Sequence, residues 1–179
     1  MTEFKHHGPL SPEFALLGFL YEQPSYGYDL HQKLASELGF VWHISQSQTY
    51  NIVNRLERRG DISSTLLEQE KLPPRQVLQI TSKGRDRFNE WLVMPTGSSV
   101  RAIRLEFITR LYFAQRIAPG KIHPLLDRQS AEINATITSM ELNQAKLPAN
   151  QTFNRLSLRL RIRQLKSILD WLVECRKAF

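Results

Sequence analysis

A chain of 179 residues suits one domain or two small ones, and 41% hydrophobic with 23% charged residues excludes a disordered polymer. No apolar run reaches the roughly 20 residues that span a bilayer, "MTEFKHHGPLSPEF" has no secretory pattern, and the lone Cys175 excludes an internal disulfide or a multi-cysteine zinc site. The net charge of +7 hints at an anionic partner, yet residues 1–94 hold 10 Lys and Arg against 11 Asp and Glu, and residues 95–179 hold 14 against 6, so local placement must decide.

Residues 1–10 read as a loose arm. Ser11-Pro12-Glu13 is a helix start, with Ser11 as capping hydroxyl, and Phe14 to Leu20 make a buried helix that ends before Pro24. Ser25 is expected to cap a second helix that carries Tyr28, Leu30, Leu34 and Leu38 and stops at Gly39. "FVWHIS" connects to a third helix over about Gln46 to Arg59, terminated by Gly60. "ISSTLLEQ" and "QVLQIT" read as strands flanking "EKLPPR", a turn with basic residues near its tip. Thr81 or Ser82 caps a fourth helix through Trp91 and Leu92. "MPTGSS", Met94 to Ser99, is the clearest break in composition and divides a domain of residues 1–93 from one of residues 100–179.

Three helical segments follow, over Val100–Ile117, Pro119 to about Lys146, and Asn150 to the end. Leu126, Ile133, Met140 and Leu147 recur every seven residues in the middle one. Leu158, Ile162, Leu165, Leu169 and Leu172 alternate spacings of four and three in the last. These are coiled-coil seams that can close on each other within a chain or on a partner's helices.

Helix, helix, helix, hairpin, helix is the order of a winged helix-turn-helix, which sets its third helix in the DNA major groove and its hairpin on the backbone. On that helix Thr49, Ile52, Val53 and Leu56 form a narrow inward stripe. Ser47, Asn51, Asn54 and Arg58 lie opposite, flanked by Gln48, Tyr50 and Arg55. Asn and Gln suit adenine edges, Arg suits guanine, and Ser or Tyr can donate to phosphate. Glu57 is the single acid between Gln46 and Arg59.

The same residues resemble the PadR family of bacterial transcriptional regulators. The resemblance runs over about residues 14–92: Leu17-Gly18, Ser25-Tyr26-Gly27-Tyr28, Tyr50, Leu56-Glu57, Gly60, Ile80-Thr81 and Gly84. "RLEFITRLYF" and the two-helix tail are similar to the longer-tailed branch, which includes phenolic-acid repressors and virulence activators. The resemblance implies a homodimer on a dyad-symmetric operator, held by its tail helices, with Tyr50 and its neighbours facing DNA. It also implies that Tyr26 and Tyr28 pack against the third helix or touch phosphate, and that the wing, here through Lys71 and Arg75, meets the backbone or minor groove. Leu72-Pro73-Pro74, Leu78 and Asp61 depart from the family pattern and bear on the wing contacts.

The fold class expected is therefore mainly α with a small β-hairpin, an N-terminal winged helix-turn-helix joined to a C-terminal helical dimerisation domain. DNA-binding residues are Tyr26, Ser47, Gln48, Tyr50, Asn51, Asn54, Arg55, Arg58, Lys71 and Arg75; dimerisation residues are Leu126, Ile133, Met140, Leu158, Ile162, Leu165, Leu169 and Leu172. The function expected is a cytoplasmic, bacterial DNA-binding regulator, a repressor rather than an activator, without cofactor or metal. A small-molecule effector is left open as a partner. Phe107, Tyr112, Phe113, Trp91 and Trp171 either line an aromatic effector cavity or simply pack. Arg155, Arg159, Arg161, Arg163 and Lys166 form a solvated face, pair with Glu132 or Glu141, or admit an anionic effector. Catalysis is not expected: the five histidines show no HExxH or Cys–His spacing, and there is no glycine-rich phosphate loop. The rival reading is a winged-helix protein–protein adaptor, which would expose apolar anchors where Asn51, Asn54 and Arg58 stand.

Overall fold

The computed structural model describes residues 10–67 and 75–179. It divides the chain into two compact units, one ending at Met94 and one running from Pro95 to Phe179.

In the first unit, α1 (Glu13–Glu22) is buried from Ala15 through Leu20, because its one turn after another of Ala, Leu, Gly and Phe offers no polar face. Its start differs from the sequence expectation. Pro12 is the N-cap and no side chain caps the helix; the Ser11 hydroxyl instead accepts from Arg55 at 3.0 Å. Ser25 does not cap a helix either. Ser25 and Tyr26 form a short strand, β1, antiparallel to β3 (Arg75–Ile80) through the pairs Ser25–Leu78 and Tyr26–Val77. Helix α2 (Gly27–Leu38) then starts behind Tyr26 without a side-chain cap and buries Leu30, Leu34 and Leu38.

Helix α3 (Gln46–Arg58) buries Thr49, Ile52, Val53 and Leu56, the stripe the helical spacing predicts. Each such fully buried aliphatic side chain contributes about 2 kcal/mol. Strand β2 (Ile62–Leu67) pairs with β3 over its whole length, so the sheet order is β1-β3-β2. Helix α4 (Ser82–Val93) takes its cap from the Thr81 hydroxyl, which accepts from Gly84 N at 3.1 Å. The ring of Phe14 stacks on Trp91 at 4.6 Å and closes the core between α1 and α4.

In the second unit, Val100–Ile117 is one helical stretch interrupted by a π-turn. Helix α5 (Val100–Ala102) runs into a π segment (Ile103–Phe107) and on into α6 (Ile108–Ile117). Ile103, Leu105 and Phe107 are all buried in this wider turn. A 3-10 turn (Pro119–Lys121) leads to α7 (Ile122–Lys146), and α8 (Thr152–Ala178) packs back along it.

That packing changes the reading of the seam. Leu126, Ile133, Met140, Ile162, Leu165 and Leu172 are already buried in the single chain, with Leu158 and Leu169 half-buried. Within the chain they hold α7 to α8. Of the basic side chains on α8, Lys166 reaches Glu141 at 2.9 Å and Arg155 donates to the Leu147 carbonyl at 3.0 Å. Both members of the Lys166 pair are half exposed, so it adds little stability. The "MPTGSS" segment is fastened rather than loose. The Thr96 carbonyl accepts from Gln129 at 3.2 Å, and Ser98 accepts from Thr136 at 2.9 Å.

Candidate nucleic-acid interface

Helix α3 is fixed at both ends. At its start Ser45 and Gln48 form a reciprocal capping box. Gln48 N donates to the Ser45 hydroxyl at 3.2 Å, and Ser45 N donates to Gln48 Oε1 at 2.8 Å. At its end Gly60 takes φ +73°. Gly60 N then donates to the Glu57 carbonyl at 2.8 Å and Asp61 N to the Leu56 carbonyl at 3.0 Å. This pair of bonds is a Schellman motif. Ser45→Ala should therefore lower stability by about 1 kcal/mol, read as a shift of the urea midpoint at unchanged slope.

The buried stripe turns a polar face outward. Ser47, Asn51, Asn54 and Arg58 are exposed, and Tyr50 is 41% exposed. Arg58 Nε donates to the Asn54 carbonyl at 3.3 Å, which lays the guanidinium along the helix with its two terminal nitrogens outward. Gln48 is exposed as expected, with its side-chain oxygen engaged in the capping box.

Arg55 departs from the expectation. It turns toward α1, where it meets Glu13 at 3.0 Å as well as Ser11. Glu13 also receives Arg59 at 3.4 Å and Arg87, and Arg87 reaches the buried Asp61 at 2.6 Å. This cluster ties α1, the end of α3 and α4 together and holds Arg55 in an ion pair beside the outward face. It also explains Asp61, the acid at a position where the family pattern is apolar: its carboxylate is the buried partner of Arg87. Arg55, Arg59, Arg87 and Lys33 are paired with carboxylates, while Arg58 and Arg75 face outward with no carboxylate partner among the described residues.

Beside α3 lies a cleft of about 390 Å³, lined by Tyr26, Tyr28, Asp29, Tyr50, Asn54 and Arg75 over a floor of Val53 and Leu78. The Arg75 guanidinium stands 5.7 Å over the Tyr26 ring at the root of the wing. Lys71 lies outside the described residues. Sequence reasoning placed Tyr26, Tyr50, Asn54 and Arg75 in the site separately. It missed Asp29 and the closeness of Gly27 to α3, where a Cβ would stand 2.8 Å from Tyr50 Cε1.

Of the aromatic side chains considered in the sequence, several are buried. Phe107, Phe113 and Trp91 are at most 2% exposed, and Phe107 meets Trp171 edge-on at 6.3 Å. Burial and the neighbouring Glu174 push the Cys175 thiol up, which makes it a poor nucleophile. Among the described residues no cluster of His, Cys, Asp and Glu is placed to hold a metal, and no helix is long and apolar enough to cross a membrane.

Comparison with known proteins accounts for most of the chain. Residues 16–90 match the Transcriptional regulator PadR-like family, and residues 103–179 match the Virulence activator alpha C-term family. The chain is 26% identical over 141 residues to the Negative transcriptional regulator PadR of Bacillus subtilis, covering 77% of this chain and 75% of that one. It is 24% identical over 189 residues to a probable transcriptional regulator of Mycobacterium tuberculosis, covering 92% and 95%. Among solved structures it is similar to Bacillus subtilis PadR in complex with operator DNA, at 22% identity and a TM-score of 0.47 over 96% of this chain and all of that one. The chain thus carries a PadR-like transcriptional-regulator domain over residues 16–90 and a Virulence activator alpha C-term domain over residues 103–179.

Proposed function

We propose that this chain represses transcription by binding a palindromic operator in the cytoplasm as a homodimer. The observation that carries the reading is the outward face of α3: Ser47, Tyr50, Asn51, Asn54 and Arg58 project from a helix whose opposite stripe is buried and whose two ends are capped. Amides, a phenol and an outward guanidinium on one helix face match the edges of A·T and G·C pairs in the major groove. An adaptor surface would present apolar anchors there. Repression is supported by the name of the Bacillus subtilis relative, a negative regulator.

The homodimer is supported by surface left uncovered in the second unit. Phe153, Leu156 and Leu160 are 86%, 53% and 58% exposed and lie three and four residues apart on α8, hence on one face. A second copy covering them would bring two α3 helices to half-sites about 10 or 20 base pairs apart. Leu156→Glu with Leu160→Glu should sediment as a monomer and lose about 100-fold in operator affinity. Release by a small-molecule effector completes the reading, with no site assigned to it.

The test is selection from random-sequence DNA by the wild type and by Asn54→Ala/Arg58→Ala. Each bidentate base contact is worth about 1–3 kcal/mol of discrimination, so the double variant should lose about 100-fold or more for the selected site. The wild type should enrich a palindrome and weaken steeply as salt rises. Failure of the wild type to enrich any sequence would sink the reading in favour of an adaptor.

A further inference from the structure

We infer that Glu13 is a specificity-determining residue of the DNA-binding unit: it holds Arg55 and Arg59 at the border of the α3 face and so keeps sequence-independent binding weak. The inference rests on the DNA-binding reading above and adds to it a residue of α1 that the reading leaves out.

The arginines of α3 are divided by their partners. Arg58 lies on the outward face with its guanidinium along the helix. Arg55, one turn after the exposed Asn51, stands in the neighbouring row of the same helix, and Arg59 is the C-cap. Both turn to one carboxylate oxygen. Glu13 Oε2 receives Arg55 at 3.0 Å and Arg59 at 3.4 Å. The other oxygen of Glu13 receives Arg87 from α4, which Asp61 holds a second time at 2.6 Å. Three guanidinium groups thus meet two carboxylates, and Glu13 is the acid that all three share.

The exposures decide what this grip does. The Glu13 side chain is 12% exposed, whereas those of Arg55 and Arg59 are 39% and 49% exposed. Arg87, held twice, fixes the acid in place, while its two α3 partners reach solvent beside the reading face. Ion pairs of arginines this exposed add little to folding. Their larger effect is on a polyanion. Each cation withheld from a phosphate forgoes one released counterion, and with it a share of affinity that is the same for every DNA sequence. Base contacts from Asn54 and Arg58 are untouched by the withholding. What Glu13 raises is therefore the ratio of selected-site to random-site binding.

The experiment uses the full-length protein and two probes, the fragment selected from random DNA and a random duplex of equal length, with affinity followed against salt. Glu13→Gln keeps the side-chain volume and an acceptor oxygen. It should tighten binding to the random duplex about tenfold at low salt and steepen the salt slope by about 0.9 for each arginine released. The ratio between the two probes should fall. Glu22→Gln controls for charge alone, because it removes the same charge from α1 where the pairing is with Lys33 at 2.8 Å; an equal gain from it would overturn the inference. Arg55→Gln with Arg59→Gln should leave random-duplex binding of the wild type nearly unchanged, yet cancel the gain in the Glu13→Gln background. A role for Glu13 in knitting the helices together would not produce that dependence. If the arginine pair costs as much affinity in the wild type as in Glu13→Gln, or if the probe ratio does not move, the inference is overturned and the DNA-binding reading stands. Should Glu13→Gln fail to fold, the arginine pair in the wild-type background decides alone, and a loss on the random duplex overturns the inference. If the wild type binds neither probe, the function itself fails and this proposal fails with it.

Discussion

Gly84→Ala should destabilise the first unit by about 3 kcal/mol, the largest effect expected from adding one methyl group to this chain. A Cβ on Gly84 would stand 2.0 Å from the Asp61 carbonyl oxygen and 2.8 Å from Ile80 Cγ1. Neither neighbour can yield cheaply. The Asp61 carbonyl accepts from Thr81 N at 3.0 Å and from the Thr81 hydroxyl at 3.1 Å, and its residue closes the Schellman turn that ends α3. Moving it would loosen the end of the helix that carries Asn54 and Arg58. Gly60→Ala provides the control. Gly60 has the left-handed φ of +73°, but a methyl group there would meet nothing within 4 Å, so the variant should lose only the conformational term, about 1–2 kcal/mol. Urea unfolding of the full chain gives the totals, and amide exchange locates them: protection should fall in α1, α3 and α4 while α7 is unchanged. Equal effects at the two glycines would show that close approach at Gly84 is not what fixes this turn.

Those two glycines also illustrate what the sequence made legible. A glycine after the last periodic residue of a helix announces a helix end, and Gly60 could be read that way without a structure. The amphipathic stripe Thr49, Ile52, Val53, Leu56 was equally open, since a period of 3.6 depends only on local spacing. Gly84 matched a family pattern, but nothing local could reveal that it faces a carbonyl 23 residues earlier in the chain. Ser25-Tyr26 is a strand of two residues, too short to show any alternation, and a serine ahead of a helix imitates a cap.

Arg55 turns to an ion pair that the sequence hid for a related reason. It flanks the outward face, and a side chain that long can swing either way. The choice is made by Glu13, 42 residues away. Seam periodicity in α7 and α8 showed that Leu126 and Ile162 must be covered, but the period of a stripe does not say whose helix covers it. What escaped the sequence was in each case a long-range pairing, and charge and length of side chain, not backbone propensity, decided it.

The same limit hid the buried polar core of the second unit, whose removal should be the other large effect. Arg110 is 1% exposed, meets Glu106 at 2.6 Å and donates to the Thr96 hydroxyl. Gln129 binds the Thr96 carbonyl from the other side. Burial pushes the Arg110 guanidinium down to about 10, with Glu106 pulling it back up, so it remains charged at neutral pH. The unfolded chain holds that proton more tightly than the folded one. Below pH about 10 the charge is therefore a net burden on folding, relieved only as pH rises through that value toward the unfolded pKa. What Arg110 supplies is volume and hydrogen bonds that fix Thr96 at the start of this unit. Arg110→Ala removes both and should cost about 3–5 kcal/mol. Arg110→Met keeps the volume and should lose less. Arg110→Met with Glu106→Leu removes both charges together and should return close to wild-type stability. Thermal unfolding followed by amide exchange in α6 and α7 measures the series. If the double variant were as unstable as Arg110→Ala, the hydrogen bonds to Thr96 would outweigh the burden of the buried charge. The fastening of the inter-unit segment would then depend on the guanidinium itself.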